Sequence, residues 1–238
     1  MSDQSEIEQI AAVWERLTGW LAEYAPASHA SLLPPAAAGA VGAAEGRLTH
    51  ELDFAFPPEL KALWQMCGGV QDVEVPGNEG GALWAGKFLP GGIFLAPEAA
   101  LWQRLRFGPG EDDPWDGADF VSFLDGEEAS GAGECGMYVS YSTDPTLRGV
   151  GDWSTTTGPD LSPPAWPSVT TYLEAVCELL QTGGGPLLEQ TGRRQPVLAL
   201  GCLAWIDSDD GLEVPWRRVH PSLHPGRDPV SKTTGGTA

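Results

Sequence analysis

Few side chains in this 238-residue chain are placed to do chemistry, and their spacing argues against most reactions. Nucleophilic catalysis needs a serine or cysteine with a base in reach, and the four histidines, His29, His50, His220 and His224, stand in no setting that supplies one. His220 and His224 have the spacing of paired helical metal ligands, but Pro221 and Pro225 put them in a loop, so no metal site is expected there. Cys67, Cys135, Cys177 and Cys202 contain no CxxC pair and read as buried, reduced thiols. The glycine stretches Gly131-Ala132-Gly133, Gly149-Val150-Gly151 and Gly183 to Gly185 match no phosphate-binding pattern and read as turns. Three carboxylate groups remain: Glu111-Asp112-Asp113, Glu127-Glu128 and Asp207-Ser208-Asp209-Asp210. Adjacent carboxylates in Gly- and Asp-rich loops are ordinarily solvated, and the Asp207 loop lacks the order of a calcium loop. No catalytic residue and no cofactor is therefore expected; the enzyme alternative is a hydrolase built on Asp207 to Asp210.

Charge points to a different kind of chemistry. The chain carries 33 acids against 13 bases, a formal charge of −20, with 42% apolar residues, enough to form a core. A polyanion or an anionic membrane surface would repel it, so nucleic acid and membrane are excluded as expected partners. The opening Met-Ser-Asp-Gln-Ser-Glu-Ile-Glu has acid where a signal peptide needs base, and no apolar run reaches membrane-spanning length, so a cytoplasmic protein is expected. From Phe107 to Asp160 the imbalance concentrates: twelve carboxylates and one base, Arg148, give −11 in 54 residues. Residues 213–238 carry +2 and lack apolar periodicity, which predicts an extension with a disordered tail after a single domain over 1–212. Within the acidic stretch, Trp115 stands among Glu111, Asp112, Asp113 and Asp116 in one loop, with Asp119, Glu127 and Glu128 further along, and it reads either as an interface anchor with a charged rim or as a plug over the sheet edge.

These residues must be positioned by regular elements, and the periodicity predicts them. Ile7, Ile10, Trp14, Leu17, Leu21 and Tyr24 define an amphipathic helix, with Ser5 and Glu8 as its capping box. Leu33 to Leu48 reads as a second helix weakened by Gly39 and Gly42, and Glu59 to Cys67 as a third that stops at Gly68-Gly69. Short apolar stretches then alternate with turn residues: Ala82 to Leu89, Gly92 to Leu95, Phe120 to Leu124 and Met137 to Tyr141 read as antiparallel strands, interrupted by a helix over Pro97 to Leu105. A helix capped by Ser168 and a last strand, Val197 to Ile206, follow. Trp14, Trp20, Trp64 and Trp102 fall on predicted helical faces and are assigned to the core. The order describes an α+β fold, N-terminal helices packed on a central antiparallel sheet with a closing C-terminal helix.

Several of these residues also carry a family resemblance. Trp14 on the first helix, Leu33-Pro34-Pro35-Ala36, Glu45, and the run from Phe56-Pro57-Pro58-Glu59-Leu60 through Trp64 to Gly68-Gly69 resemble the opening signature of the SUKH superfamily, in particular its branch related to the fungal Smi/Knr cell-wall assembly regulators. Phe88 to Leu95, Pro97-Glu98-Ala99-Ala100 and the Ser168 helix are similar to the elements that follow in that family, and the likeness spans about residues 6–182. Gly68, where the family usually has Asn, and the Gly126 to Gly136 insertion depart from it. The resemblance implies a non-enzymatic binding domain: bacterial members are typically immunity proteins that neutralise a cognate toxin, often a nuclease, and fungal members are regulatory scaffolds. An acidic chain suits a basic toxin, because complementary charge speeds encounter and fixes register. The partner-binding face is accordingly expected at Glu111 to Asp119 and Glu127-Glu128.

Overall fold

In the computed structural model, residues 3–77, 81–106, 119–127, 134–142, 146–155, 158–160, 163–191, 194–206, 212 and 214–219 are described. Four helices come first. Helix α1 (Asp3–Tyr24) buries Ile10, Val13, Trp14, Leu17 and Leu21 along one stripe, the i, i+3, i+4 spacing that makes a single apolar face. It begins two residues before Ser5, so Ser5 lies inside the first turn and is not its cap; an acid-rich start suits the positive end of the helix dipole.

The second predicted helix is displaced. A short α2 (Pro26–Ala30) follows α1, and α3 (Ala40–Leu52) starts seven residues later than the apolar pattern suggested. The reason is local: Gly39 takes a left-handed φ of 85° immediately before α3, and the Pro34 carbonyl is used outside any helix, accepting from Gly68 N at 2.9 Å. Helix α4 (Pro58–Met66) enters through Pro57-Pro58 and packs on α1.

The strands are shorter and more numerous than the apolar stretches implied. Strands β1 (Glu74–Pro76) and β2 (Ala82–Trp84) form a hairpin; β3 (Ile93–Phe94), β4 (Phe120–Glu127), β5 (Glu134–Ser140), β6 (Gly149–Ser154) and β7 (Gly158–Pro159) form an antiparallel sheet in that order. Gly149-Val150-Gly151 is therefore strand and not turn. Gly149 has φ 140°, and a Cβ there would lie 2.3 Å from the Trp166 carbonyl; one on Gly151 would lie 2.6 Å from the Tyr138 hydroxyl oxygen. Glycine stands here because neighbours occupy the side-chain space, a signal that reads as a turn in sequence.

Helix α5 (Pro97–Arg106) packs on β4, and α6 (Val169–Thr182) packs on α1, α4 and β6. Ser168 caps α6 as expected, its Oγ accepting from Thr171 N at 3.1 Å, and Gly183 at φ 74° ends it. After α7 (Pro186–Thr191), the predicted last strand is a hairpin: β8 (Gln195–Ala199) and β9 (Cys202–Ile206) are joined by Leu200 and Gly201, both at positive φ, and β10 (Arg217–Arg218) adds to β8. The continuous apolar pattern concealed that two-residue turn. The architecture is α+β, with N-terminal helices and the C-terminal α6 covering an antiparallel sheet.

One main core joins α1, α4, α5, α6 and the five-stranded sheet. Trp64 is fully buried, edge-on to Phe56 at 4.8 Å between ring centres, with Nε1 donating to the Leu95 carbonyl at 2.8 Å. Trp14 and Trp20 are buried as predicted, but Trp102 is 57% exposed and lies under the Arg47 guanidinium. Its helix turns Leu101 and Ala100 inward instead, one and two positions away on α5. No helix among the described residues is long and apolar enough to cross a membrane.

Candidate functional site

The residues that carry the resemblance meet in one structural joint. Ala36 N donates to the Trp64 carbonyl, Gly68 N to the Pro34 carbonyl, and Glu45 Oε1 accepts from Phe56 N and from Lys61 Nζ at 2.8 Å. A Cβ on Gly68 would stand 2.7 Å from the Pro34 oxygen, so the side chain expected there has no room in this backbone. Glu59, 3% exposed, spans from α4 to the start of α6, where it accepts from Val169 N, Thr170 N and Thr170 Oγ1. These are jobs of assembly: they explain the sequence signature without defining a ligand.

Of the expected partner face, Glu111, Asp112, Asp113, Trp115, Asp116 and Glu128 lie outside the described residues, as do His220, His224, the Asp207 to Asp210 loop and residues 220–238. Asp119 precedes β4, half-buried, its carbonyl accepting from Tyr141 N. Glu127 ends β4 in register with Glu134. Eight residues of strand separate them by about 25 Å, so they mark opposite ends of the sheet.

The structure brings together other acids of the same stretch. Asp125 on β4 is half-buried, and one carboxylate oxygen has no hydrogen-bond partner. Burial first, and the Glu134 charge second, raise its pKa to about 6, against the pull of the Gly126 amide, Arg106 and Lys87. Asp152 on β6 remains exposed at residue level, yet its carboxyl is raised by the packing around it and then by Asp160, with Arg194 opposing. Glu134 forms an ion pair with Arg106 on the surface. Tyr138 is pushed up to about 12 by burial and by Asp160 and Asp152, and its hydroxyl donates to the Asp160 carbonyl at 2.7 Å. Counting charge along the chain found this segment, but only strand register shows which carboxylates face each other.

Beside Asp152 lies a cleft of about 760 Å³ between the β1–β2 hairpin, the β8–β9 hairpin and the five-stranded sheet, in the size range of small-molecule sites. Trp84, Trp166 and Trp205 contribute aromatic surface, with Trp205 Nε1 fixed to the Phe88 carbonyl at 2.8 Å. Lys87 lies over the Trp84 ring at 5.6 Å, and Arg194 donates to the Pro90 carbonyl at 3.0 Å. The apolar spacing of the chain gave no sign of this cleft, because its walls come from separate stretches spread between Leu83 and Leu212.

Burial raises the thiols of Cys67 and Cys177, and that of Cys202 to about 11, so all three stay protonated near neutrality, and among the described residues no group of three His, Cys, Asp or Glu side chains could hold a metal ion. No family model matches the chain, and no curated protein matches it significantly.

Proposed function

We propose that this chain is a cytoplasmic, non-enzymatic protein-binding domain of the immunity type, which neutralises a cognate bacterial toxin with a basic active surface, such as a nuclease. One observation carries the reading: along the five-stranded sheet, carboxylates crowd carboxylates. Glu134 adds to the burial that raises the pKa of Asp125, and Asp160 does the same for Asp152, so the sheet carries one like-charge pair on each face that Arg106, Lys87 and Arg194 offset only in part. A partner bringing Lys and Arg relieves that repulsion, which gains both on-rate and register.

Co-expression with the toxin encoded beside its gene tests the proposal. Growth arrest is relieved, and reversal of Glu111, Asp112, Asp113 and Asp116 to Lys restores arrest. Binding weakens with salt, and also as pH falls through about 6, where Asp125 takes up a proton. A toxin that still arrests growth, or binding indifferent to the four reversals, overturns the function or its site respectively.

A further inference from the structure

Helix α5 presents an exposed row, Glu98, Trp102 and Arg106, whose spacing of four residues stacks them along one face. Trp102, 57% exposed, is the most exposed large apolar side chain among the described residues. Glu98 and Arg106 each keep more than half of the side chain in solvent, and each forms one surface ion pair within the chain, with Arg47 and Glu134 respectively. The Arg47 guanidinium also lies over the Trp102 ring, 4.9 Å from its centre. Two bases and two acids thus flank this tryptophan, which makes a neutral spot on a chain of −20. Tryptophan and arginine are the residue types that most often anchor protein interfaces, and two acidic chains repel each other least where the local charge is balanced.

The charges along the row match a copy of the same helix running the other way. Glu98 lies four residues before Trp102 and Arg106 four after, so an antiparallel α5 centred on Trp102 sets Glu98 against Arg106 at both ends while the two indoles meet in the middle. A parallel copy would set like charge against like. We propose that this face of α5 is the two-fold interface of a homodimer, with Trp102 packed on its symmetry mate and Glu98 paired with Arg106 of the second copy. The ion pairs inside each chain are kept: Arg47, Glu98, Arg106 of the second copy and Glu134 of the second copy alternate in sign, and such a network stabilises more than isolated surface pairs do. The contact centres on one helix of 10 residues, so it belongs to the small interfaces and its Kd is about 10–100 µM. The proposal rests on α5 and stands whether or not a toxin binds elsewhere on the chain.

Sedimentation velocity of the full chain from about 5 to 500 µM tests it, with the weight-average mass expected to rise from one copy towards two. Trp102→Glu, at an exposed position that leaves the fold intact, weakens association by at least about tenfold. Glu98→Arg alone and Arg106→Glu alone each weaken self-association by about tenfold, because each sets like charges together at both ends of the row. Mixing those two variants restores it to within about threefold of the unmodified chain, since Arg at 98 of one copy then meets Glu at 106 of the other and the remaining Arg106 and Glu98 pair as before. A chain that stays monomeric throughout, association indifferent to Trp102→Glu, or a mixture of the two charge variants that associates no better than either alone overturns the inference.

Discussion

Two carboxylates, a buried one in the helical half and a half-buried one in the sheet, are handled in opposite ways. Glu59, on α4, is surrounded by donors: two backbone N–H groups at the start of α6 and the Thr170 hydroxyl. It closes the helix layer as an N-terminal cap supplied from another element, at the helix end where a negative group is favoured. Asp125, on β4, has an oxygen with no partner, a second carboxylate nearby and a pKa raised to about 6. A fold under selection for stability alone has no use for the second arrangement. The helical half is built to hold together, whereas β4 keeps a carboxylate whose charge the nearby Arg106 and Lys87 offset only in part.

That contrast can be broken at several points, and the largest effect is expected at Glu59. Glu59→Ala leaves two buried N–H groups and a hydroxyl without an acceptor and should cost about 3 kcal/mol in urea unfolding, whereas Glu59→Gln retains an acceptor oxygen and should cost less than half of that. If both variants unfold alike, the charge and not the hydrogen bonding holds the joint. Next is Gly136→Ala on β5, where a Cβ would lie 2.1 Å from the Leu124 carbonyl; β4 must shift, and a loss of about 2 kcal/mol is expected from the same measurement.

Asp125→Asn works in the other direction. Its folded pKa lies above the unfolded value, so the group contributes stability fully below about pH 4 and loses it as pH rises through about 6. Removing the charge should therefore stabilise the protein by about 1–2 kcal/mol at pH 7.5, after allowance for partial solvent screening, with the difference gone at pH 4. Equal stability of the two proteins across that range would show that the sheet carries no electrostatic strain. The smallest effect belongs to Arg106→Ala, since the Arg106–Glu134 pair is exposed: stability should change by no more than about 0.5 kcal/mol, while the Asp125 titration, followed by carboxyl-carbon NMR, moves upward.

How much was legible in sequence differed between the same two regions. Helices α1, α4 and α6 could be read because each depends on an apolar spacing within its own segment and on a local stop or cap such as Ser168 or Gly183. The start of α3 could not, because Gly39 and the use of the Pro34 carbonyl by Gly68 are decided by a contact 34 residues away. Strand β6 was hidden by its own glycines, whose missing side chains make room for Trp166 and Tyr138. Trp102 was misassigned because helical spacing sets a face only to within a residue, and α5 turns Leu101 inward instead.

Of the candidate sites, the acidic stretch was visible from charge counting, though Glu111 to Asp116, Trp115 and Glu128 lie outside the described residues and Asp119 and Glu127 stand at opposite ends of β4. The pairing of Asp125 with Glu134 and of Asp152 with Asp160 depends on strand register, and no one-dimensional pattern encodes it. The cleft is further removed still, since Trp84, Tyr172, Arg194 and Trp205 come from stretches up to 121 residues apart.

Sequence alone determined the α+β class, the acidity and helices α1, α4 and α6, because composition and local periodicity act through nearest neighbours along the chain. Tertiary structure decided which carboxylates repel one another, which glycines yield space, and which polar groups are left without partners. Those properties belong to distances through space, set only when the sheet and helices close on each other.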